Sequence, residues 1–595
     1  MIGYISNHLF FYAIFELMYS RIPKSNIIYA LILILILILT GVIFICLRGV
    51  NDKTESLVSI NNMDGSINIS ESKNQKNLQM LEFCKVWGVL KYHEKNKSKA
   101  LQYDTFLVQN FYHIYEGKLN LDHVISTFLK GQVNSNENIF IGNIPDQNWI
   151  NQSVTINKLS KRKLLDYISE SYEVASSDQL ITVNKFDELN FDSDSLYFNR
   201  HVTSQPERFL SLCKLWNIVR YYYPYFNELS SSWNNVFLEM LPYFLNAKDD
   251  MEYHKAVLRL STRLRDSHVA VKSSLIDNFE KKYVGNIIFK TIGERTFVKE
   301  FVTSSLRSNM KKGDEVLQIN GTDVKTIRDS LRQFISASND VTLDRDINRQ
   351  LLILKSNNAR IKVIRKNKII NVHENLTYIN IAREIEQKEQ RSKASKSISR
   401  TLQNSIGYLN IKDVYSGNFR ISMEKIKNCN AIIFDIRGYP NEVGVDFLKY
   451  FETRKLRYMN LFRADIRYPG LMISAENKIK IPKSVSGSFS KPVVVLLNEY
   501  TQSQSESIAL AMNSISNSVT LGENTAGTNG NVTIINLPGS LKIRFSGIGV
   551  SGPSNQILQR KGIQPLIIVK DNINSLVKGE DYQLLMAIRY LKKII

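Results

Sequence analysis

The chain has 595 residues, 43% of them hydrophobic, with 77 Lys plus Arg against 56 Asp plus Glu and a formal net charge of +21. That composition excludes a disulfide miniprotein, a collagen and a fully disordered chain, and it supplies apolar residues for several cores. The basic residues are scattered among Asn, Ser and acidic residues, without a long run or an aromatic-spaced stripe, which argues against a nucleic-acid partner and leaves a basic surface suited to an anionic membrane.

In chain order, residues 1–26 read as a cytoplasmic leader, and residues 27–47, IIYALILILILILTGVIFICL, as a transmembrane anchor. The run is uncharged and long enough to cross about 30 Å of hydrocarbon as a helix. Arg21 and Lys24 precede it, so the positive-inside bias places the N-terminus in the cytoplasm and the rest in the periplasm or cell envelope. A cleaved signal peptide is the alternative, but Ile43, Phe44 and Ile45 stand where a cleavage site has small residues. Residues 48–75, rich in Asn, Ser and charge, read as a linker.

Residues 76–200 form an N-terminal helical domain and 201–283 a second helical region carrying a histidine motif. FCKVWGVLKY at 83–92 is repeated as LCKLWNIVRY at 212–221, and each copy precedes a further apolar helical pattern, which predicts two helical hairpins. Cys, Trp and Tyr recur at spacings of one buried helix face. Four cysteines, Cys46, Cys84, Cys213 and Cys429, lack the spacing of a zinc site or a CxxC pair. No metal or cofactor is expected, since P-loop, dinucleotide and HExxH patterns are also missing.

From 284 to 370 the pattern changes to short strands: VGNIIF, TFVKEFV, EVLQING and NARIKVIR. MKKGDEVLQINGTDV, with Gly313 and Gly321 at turn positions, resembles the strand and turn region of a PDZ-like domain, a module that takes an extended peptide onto a sheet edge. Residues 371–404, polar and basic, read as a linker. From 405 to 595 strands alternate with helices, which predicts a mixed α/β core with parallel strands and functional groups at their carboxyl ends. The fold class is therefore α/β multidomain: a mixed α/β core, a β-rich PDZ-like module, a helical N-terminal region and one transmembrane helix.

The sharpest local feature is VVVLLNEYTQSQSESIALAMN, where a buried strand ends at Asn498 and a helix begins near Ser505. Ser503 stands at the junction. A hydroxyl there projects above the sheet, and the amides of a helix N-terminus can bind an oxyanion. Helix capping is the competing use of such a serine.

TQSQSES resembles the nucleophile segment of the tail-specific, or C-terminal processing, serine peptidases, with Ser503 three residues before Glu506. IIFDIRGYPN, LGENTAGTNGN, FSGIGVSGP and QRKGIQP resemble that family's strand, loop and closing segments, and RLRDSHVAV at 264–272 its upstream histidine segment. In the family's Ser-Lys subgroup the base is a lysine in a TxGK loop; here that position is Thr528, in TAGTNG. The tricorn-like branch instead uses a histidine preceded by serine, which Ser267-His268 matches. The resemblance therefore implies Ser503 as nucleophile and His268 as general base.

It also implies that Gln559, three residues before Gly562, takes the place of an acidic orienting residue. The oxyanion would be held by the amide of Gln504 with one from the turn carrying Gly438 and Asn441, and Ser267 and Glu506 would support the site. Glu442 stands with Asn441 where the family has paired glycines. The implied activity is hydrolysis of peptide bonds in envelope or exported polypeptides, recognised in part by their C-termini. A catalytically silent peptide-binding or scaffolding protein of the same fold is the alternative, motivated by Gln559, Asn441 and Glu442.

Overall fold

A computed structural model describes residues 71–129, 148–170, 179–200, 203–229, 232–278, 282–391, 399–414, 416–440, 450–451, 457–475 and 489–595. The leader, the apolar run at 27–47 and most of the following linker lie outside the described residues. Among the described residues no helix is long and apolar enough to cross a membrane.

The duplicated motif forms the two hairpins its spacing predicts. Helices α1 (Glu71–Tyr92) and α2 (Lys97–Tyr115) make the first, and α3 (Gln205–Tyr222) and α4 (Trp233–Leu245) the second. In each, the motif tryptophan donates its indole N–H to a carbonyl of the second helix: Trp87 to Tyr103 at 3.0 Å and Trp216 to Trp233 at 2.8 Å. The repeat-equivalent Gly88 and Asn217 meet where α1 approaches α3, and a Cβ on Gly88 would fall 2.0 Å from Asn217 Oδ1. Asn217 Nδ2 uses the space, donating to the carbonyls of Cys84 and Cys213 at 3.1 and 3.0 Å. Divergence between the two repeats at this position is thus what lets them pack together.

Two lysines are buried beside these hairpins. Lys91 Nζ bonds Asp104 at 2.6 Å and Asp194 at 2.7 Å, and Lys214 Nζ reaches Asp194 at 2.8 Å, with all four side chains at most 1% exposed. Two cations and two carboxylates neutralise one another where neither sign could stand alone.

From α5 (Asp250–Thr262) the chain turns through His268 into β1 (Ala270–Lys272) and enters the module. Its strands β2 (Ile288–Ile292), β3 (Arg295–Glu300), β4 (Glu315–Ile319), β5 (Asn358–Arg365) and β6 (Lys368–Asn375) form an antiparallel sheet in the order β6-β5-β4-β3-β2. Helices α6 (Val324–Arg332) and α7 (Asp340–Asn348) lie between β4 and β5 in the chain. Gly313 and Gly321 have φ of +83° and +84°, left-handed values that suit glycine at turns. The described parts of 371–404, a linker by composition, are instead built into the fold: β6 runs to Asn375, α8 spans Ile379–Arg391, and β7 (Arg400–Leu402) pairs with the core. Glu, Gln, Lys and Arg are good helix formers, so the polarity of α8 conceals regular structure.

The core sheet has the order β7-β8-β9-β10-β11-β14, with β8 (Ile406–Asn410), β9 (Ala431–Asp435), β10 (Val493–Leu497), β11 (Ser518–Gly522) and β14 (Ile567–Ile568). These five are parallel, and β7 is antiparallel to β8. Every residue of β9 and β10 is buried, as a sheet covered on both faces requires. Helices α9 (Ser416–Ile426) and α10 (Gln504–Asn513) flank the sheet, and α11 (Tyr582–Leu591) packs against it through Ala587 and Leu591. A hairpin of β12 (Val532–Leu537) and β13 (Leu541–Ser546) pairs with β1, and Leu537, Leu541 and Phe545 join the core of the helical region. The histidine loop is thereby drawn to the edge of the α/β core.

Removing one member of the Lys91, Asp104, Asp194 and Lys214 cluster leaves buried charge uncompensated. Asp194→Ala is expected to lower the unfolding free energy by about 3–5 kcal/mol, read from the denaturant midpoint; an unchanged midpoint contradicts this account.

Candidate active site

Adjacent parallel strands β9, β10 and β11 send three loops out of one end of the sheet, and these build the site from below. The middle loop holds Ser503 at φ 56° and ψ −117°, immediately before α10. Positive φ in a residue with a Cβ costs about 1–3 kcal/mol, so neighbouring contacts must impose it. The Ser503 N–H is shared between the Thr528 carbonyl at 2.9 Å and Glu506 Oε2 at 3.3 Å. This sharp strand-to-helix turn is the geometry that exposes a nucleophilic hydroxyl at a sheet end.

Gln504 opens α10, and Gly438 lies in the segment that follows β9. Ser505 Oγ, in the first turn of α10, donates to the Gly438 carbonyl at 2.6 Å and ties the β9 turn to the helix N-terminus. Asn441 and Glu442 lie outside the described residues. Tyr439, one residue after Gly438, hydrogen-bonds the Ser503 side chain, and burial raises its phenol above the ordinary range.

Glu506 lies beneath the turn and holds the third loop. Its Oε1 accepts the Gly527 N–H at 2.9 Å and the Thr525 hydroxyl, and its Oε2 accepts the Thr528 N–H at 3.0 Å. Burial pushes this carboxyl up to about 7, against four donors that favour the carboxylate.

His268 approaches from the β1 side and is 4% exposed. Burial lowers its pKa to about 4, against the raising effect of the Asp266 charge. Its Nδ1 is 2.9 Å from Ser546 Oγ at the end of β13. Asp266 Oδ1 accepts the His268 N–H at 2.9 Å and the Thr528 hydroxyl at 2.6 Å, and Oδ2 accepts the Ser546 N–H at 2.8 Å. Among the described residues, this network joins His268 to Ser503 through Asp266 and Thr528. Thr528 thereby ties the histidine loop to the loop that carries Ser503.

Two expected supporting residues face elsewhere. Gln559 is 2% exposed, but its Nε2 lies 3.5 Å from the Tyr223 hydroxyl, and the partner at His268 Nδ1 is Ser546. Ser267 pairs with the module: its N–H donates to Ser338 Oγ and its Oγ accepts the Ser338 N–H, both at 2.9 Å. Tyr439, Thr528 and Ser546 are contributors that sequence spacing does not reveal. Each is a single polar residue in a separate element, and only Thr528 carries a hint, its place in the TAGTNG loop.

Residues 405–569 match peptidase family S41, and residues 291–376 match the Bacteroidetes S41-family N-terminal domain. The α/β core is an S41 peptidase domain. The chain is accordingly a serine-type peptidase. No curated protein sequence matches it. Among solved structures, a point mutant of CPAF is 13% identical, with 64% of this chain and 96% of that one covered at a TM-score of 0.50. Mature CPAF complexed with lactacystin is 14% identical, with 65% and 98% covered and a TM-score of 0.49. A putative peptidase from Parabacteroides merdae is 16% identical, with 65% and 97% covered and a TM-score of 0.40. At 13% identity, the likeness to the CPAF mutant is one of fold.

Within the S41 domain Glu506 gives a pH signature. Its folded pKa of about 7 exceeds the unfolded value of about 4.3, so the stability it lends is complete below the unfolded value and is lost as pH rises through 7. Glu506→Gln removes that slope. The stability difference between wild type and Glu506→Gln is expected to shift by about 3 kcal/mol between pH 4 and pH 8, measured by urea unfolding; parallel pH–stability curves overturn the assignment.

Proposed function

We propose that Ser503 is the nucleophile and His268 the general base of a peptide-bond hydrolase. Ser503 Oγ attacks the scissile carbonyl as His268 accepts its proton, and the imidazolium returns that proton to the leaving amine. Water then hydrolyses the acyl-enzyme by the same route. The observation that carries this reading is the strained Ser503 backbone at the head of α10, with His268 fastened to the same loop through Asp266 and Thr528. The Gln504 amide, with a second from the segment after β9 that carries Gly438, receives the oxyanion. Ser546 takes the orienting position at His268 Nδ1. The branch is the tricorn-like one, without a Ser-Lys dyad, since Thr528 stands at the lysine position.

The substrates in this reading are envelope or exported polypeptides. The open sheet of the module, with β2 and β6 at its ends, suits PDZ-like addition of an extended segment or C-terminus as a further strand. The uncharged run at 27–47 supports a retained anchor, with the peptidase outside the cytoplasm.

A fluorophosphonate probe tests the chemistry directly. Ser503 is expected to be labelled, Ser503→Ala to give no adduct, and His268→Ala to slow labelling by about 10²–10⁴-fold, the usual worth of general-base catalysis. Because burial holds His268 at about 4, the base is free at neutral pH, and the labelling rate should fall only as pH drops through about 4. Failure of Ser503 to label, together with no casein cleavage, would instead establish the silent scaffold. For location, protease added to cells with a permeabilised outer membrane is expected to degrade the S41 domain; protection places it in the cytoplasm.

A further inference from the structure

The loop and helix start at 336–345, within the module, touch three loops of the site at once. Ser338 is fully buried and makes the reciprocal pair of 2.9 Å hydrogen bonds with Ser267, the residue before His268. Two residues earlier, Ser336 Oγ accepts the Asp266 N–H at 3.2 Å and donates to the Asp266 carbonyl at 3.0 Å. The next residue after Ser338 turns to the opposite loop: Asn339 Nδ2 donates to the carbonyls of Thr525 and Ala526 at 3.1 and 3.2 Å. Farther along α7, Arg345 Nη1 donates to the Glu499 carbonyl at 2.6 Å, in the loop that leads to Ser503.

We propose that Ser338 and Asn339 are positioning residues, and that the segment carrying them is a clamp setting the separation of His268 from Ser503. Adjacent residues of one segment grip the base loop on one side and the TAGTNG loop on the other. The latter loop accepts the Ser503 N–H through Thr528. Neither residue touches the reacting atoms. Displacing reactive groups by about 1 Å can cost about 10²-fold in rate, so a clamp of this kind acts on turnover without contributing chemistry. The inference rests on the Ser503 and His268 reading above, and it gives the module a role in the reaction distinct from holding peptide.

Asn339 allows its two functions to be separated. Its Oδ1 caps α7 by accepting the Thr342 N–H at 3.0 Å, while its Nδ2 makes the loop contacts. Asn339→Asp keeps the cap and turns an oxygen toward two carbonyls, repelling the loop. Ser338→Ala removes only the acceptor for the Ser267 N–H and serves as the milder variant where Asn339→Asp fails to fold.

With the full chain, fluorophosphonate labelling and peptide kinetics are measured at a temperature where circular dichroism shows each variant folded. Both variants are expected to label about 10–100-fold more slowly, with kcat reduced, KM unchanged and the acid limb of the pH profile still near that of wild type. A stability change alone would move none of these in folded protein. Wild-type labelling by the clamp variants overturns the clamp, as does a loss confined to KM. His268→Ala separates the two levels: slow labelling there with wild-type labelling in the clamp variants overturns the clamp alone, and wild-type labelling in all three overturns the base assignment as well.

Discussion

The site depends on one buried carboxylate, that of Asp266. It is fully excluded from solvent and accepts three hydrogen bonds from three parts of the chain: the His268 amide, the Thr528 hydroxyl and the Ser546 amide. A buried carboxylate left with an empty lone pair is costly, so each donor is held strongly. The consequence is geometric. The histidine turn, the loop after β11 and the end of β13 are separated by up to 280 residues in sequence, and one ion fixes them against each other.

A second set of charges docks the module on the same end of the sheet. Lys290, on β2, reaches Glu499 at 2.9 Å and Glu523 at 3.0 Å, residues that follow β10 and β11. Lys290 holds Glu499 down at about 2, and the carboxylates raise the lysine in turn. Lys299 adds a bond of 2.6 Å to Asp571, after β14. Because the anchor points are the carboxyl ends of core strands, the module is seated where the catalytic loops begin. Arg345 of α7 and Arg349 at its C-cap then lie over the Tyr500 ring, three residues before Ser503. The docking is ionic at its base and hydrogen-bonded at its tip, where Ser338 and Asn339 meet the loops.

Features repeated along a segment were legible in the sequence, and features made by one residue were not. The buried runs AIIFD and VVVLL, the duplicated Trp motif and the TQSQSES junction each impose a period or a break that survives without neighbours. They predict parallel strands, paired hairpins and a serine at a strand-to-helix turn, and the structure has all three. Ser546, Thr528 and Asn339 carry no such period. Their roles arise only when strands and turns distant in sequence converge, and a lone polar residue reads equally as surface. Gln559 shows the same limit from the other side: its position in the motif predicts an orienting contact to the histidine, but its side chain meets Tyr223, itself held near the Leu264 carbonyl.

That difference bears on the strength of the proposed base. A histidine lowered from about 6.5 to about 4 by burial gives up about 3 kcal/mol of proton affinity, and Ser546, a hydroxyl, cannot return it by charge. Asp266 is the nearest carboxylate in the network, but it binds the His268 backbone and not the ring. Its field still favours the imidazolium, and it acts without being consumed as a hydrogen-bond partner of Nδ1. As the proposed base, His268 would gain proton affinity as negative charge develops on the substrate oxygen. In the proposed mechanism, catalysis relies more on the helix N-terminus and on the spacing of Ser503 from His268 than on the driving force of proton transfer.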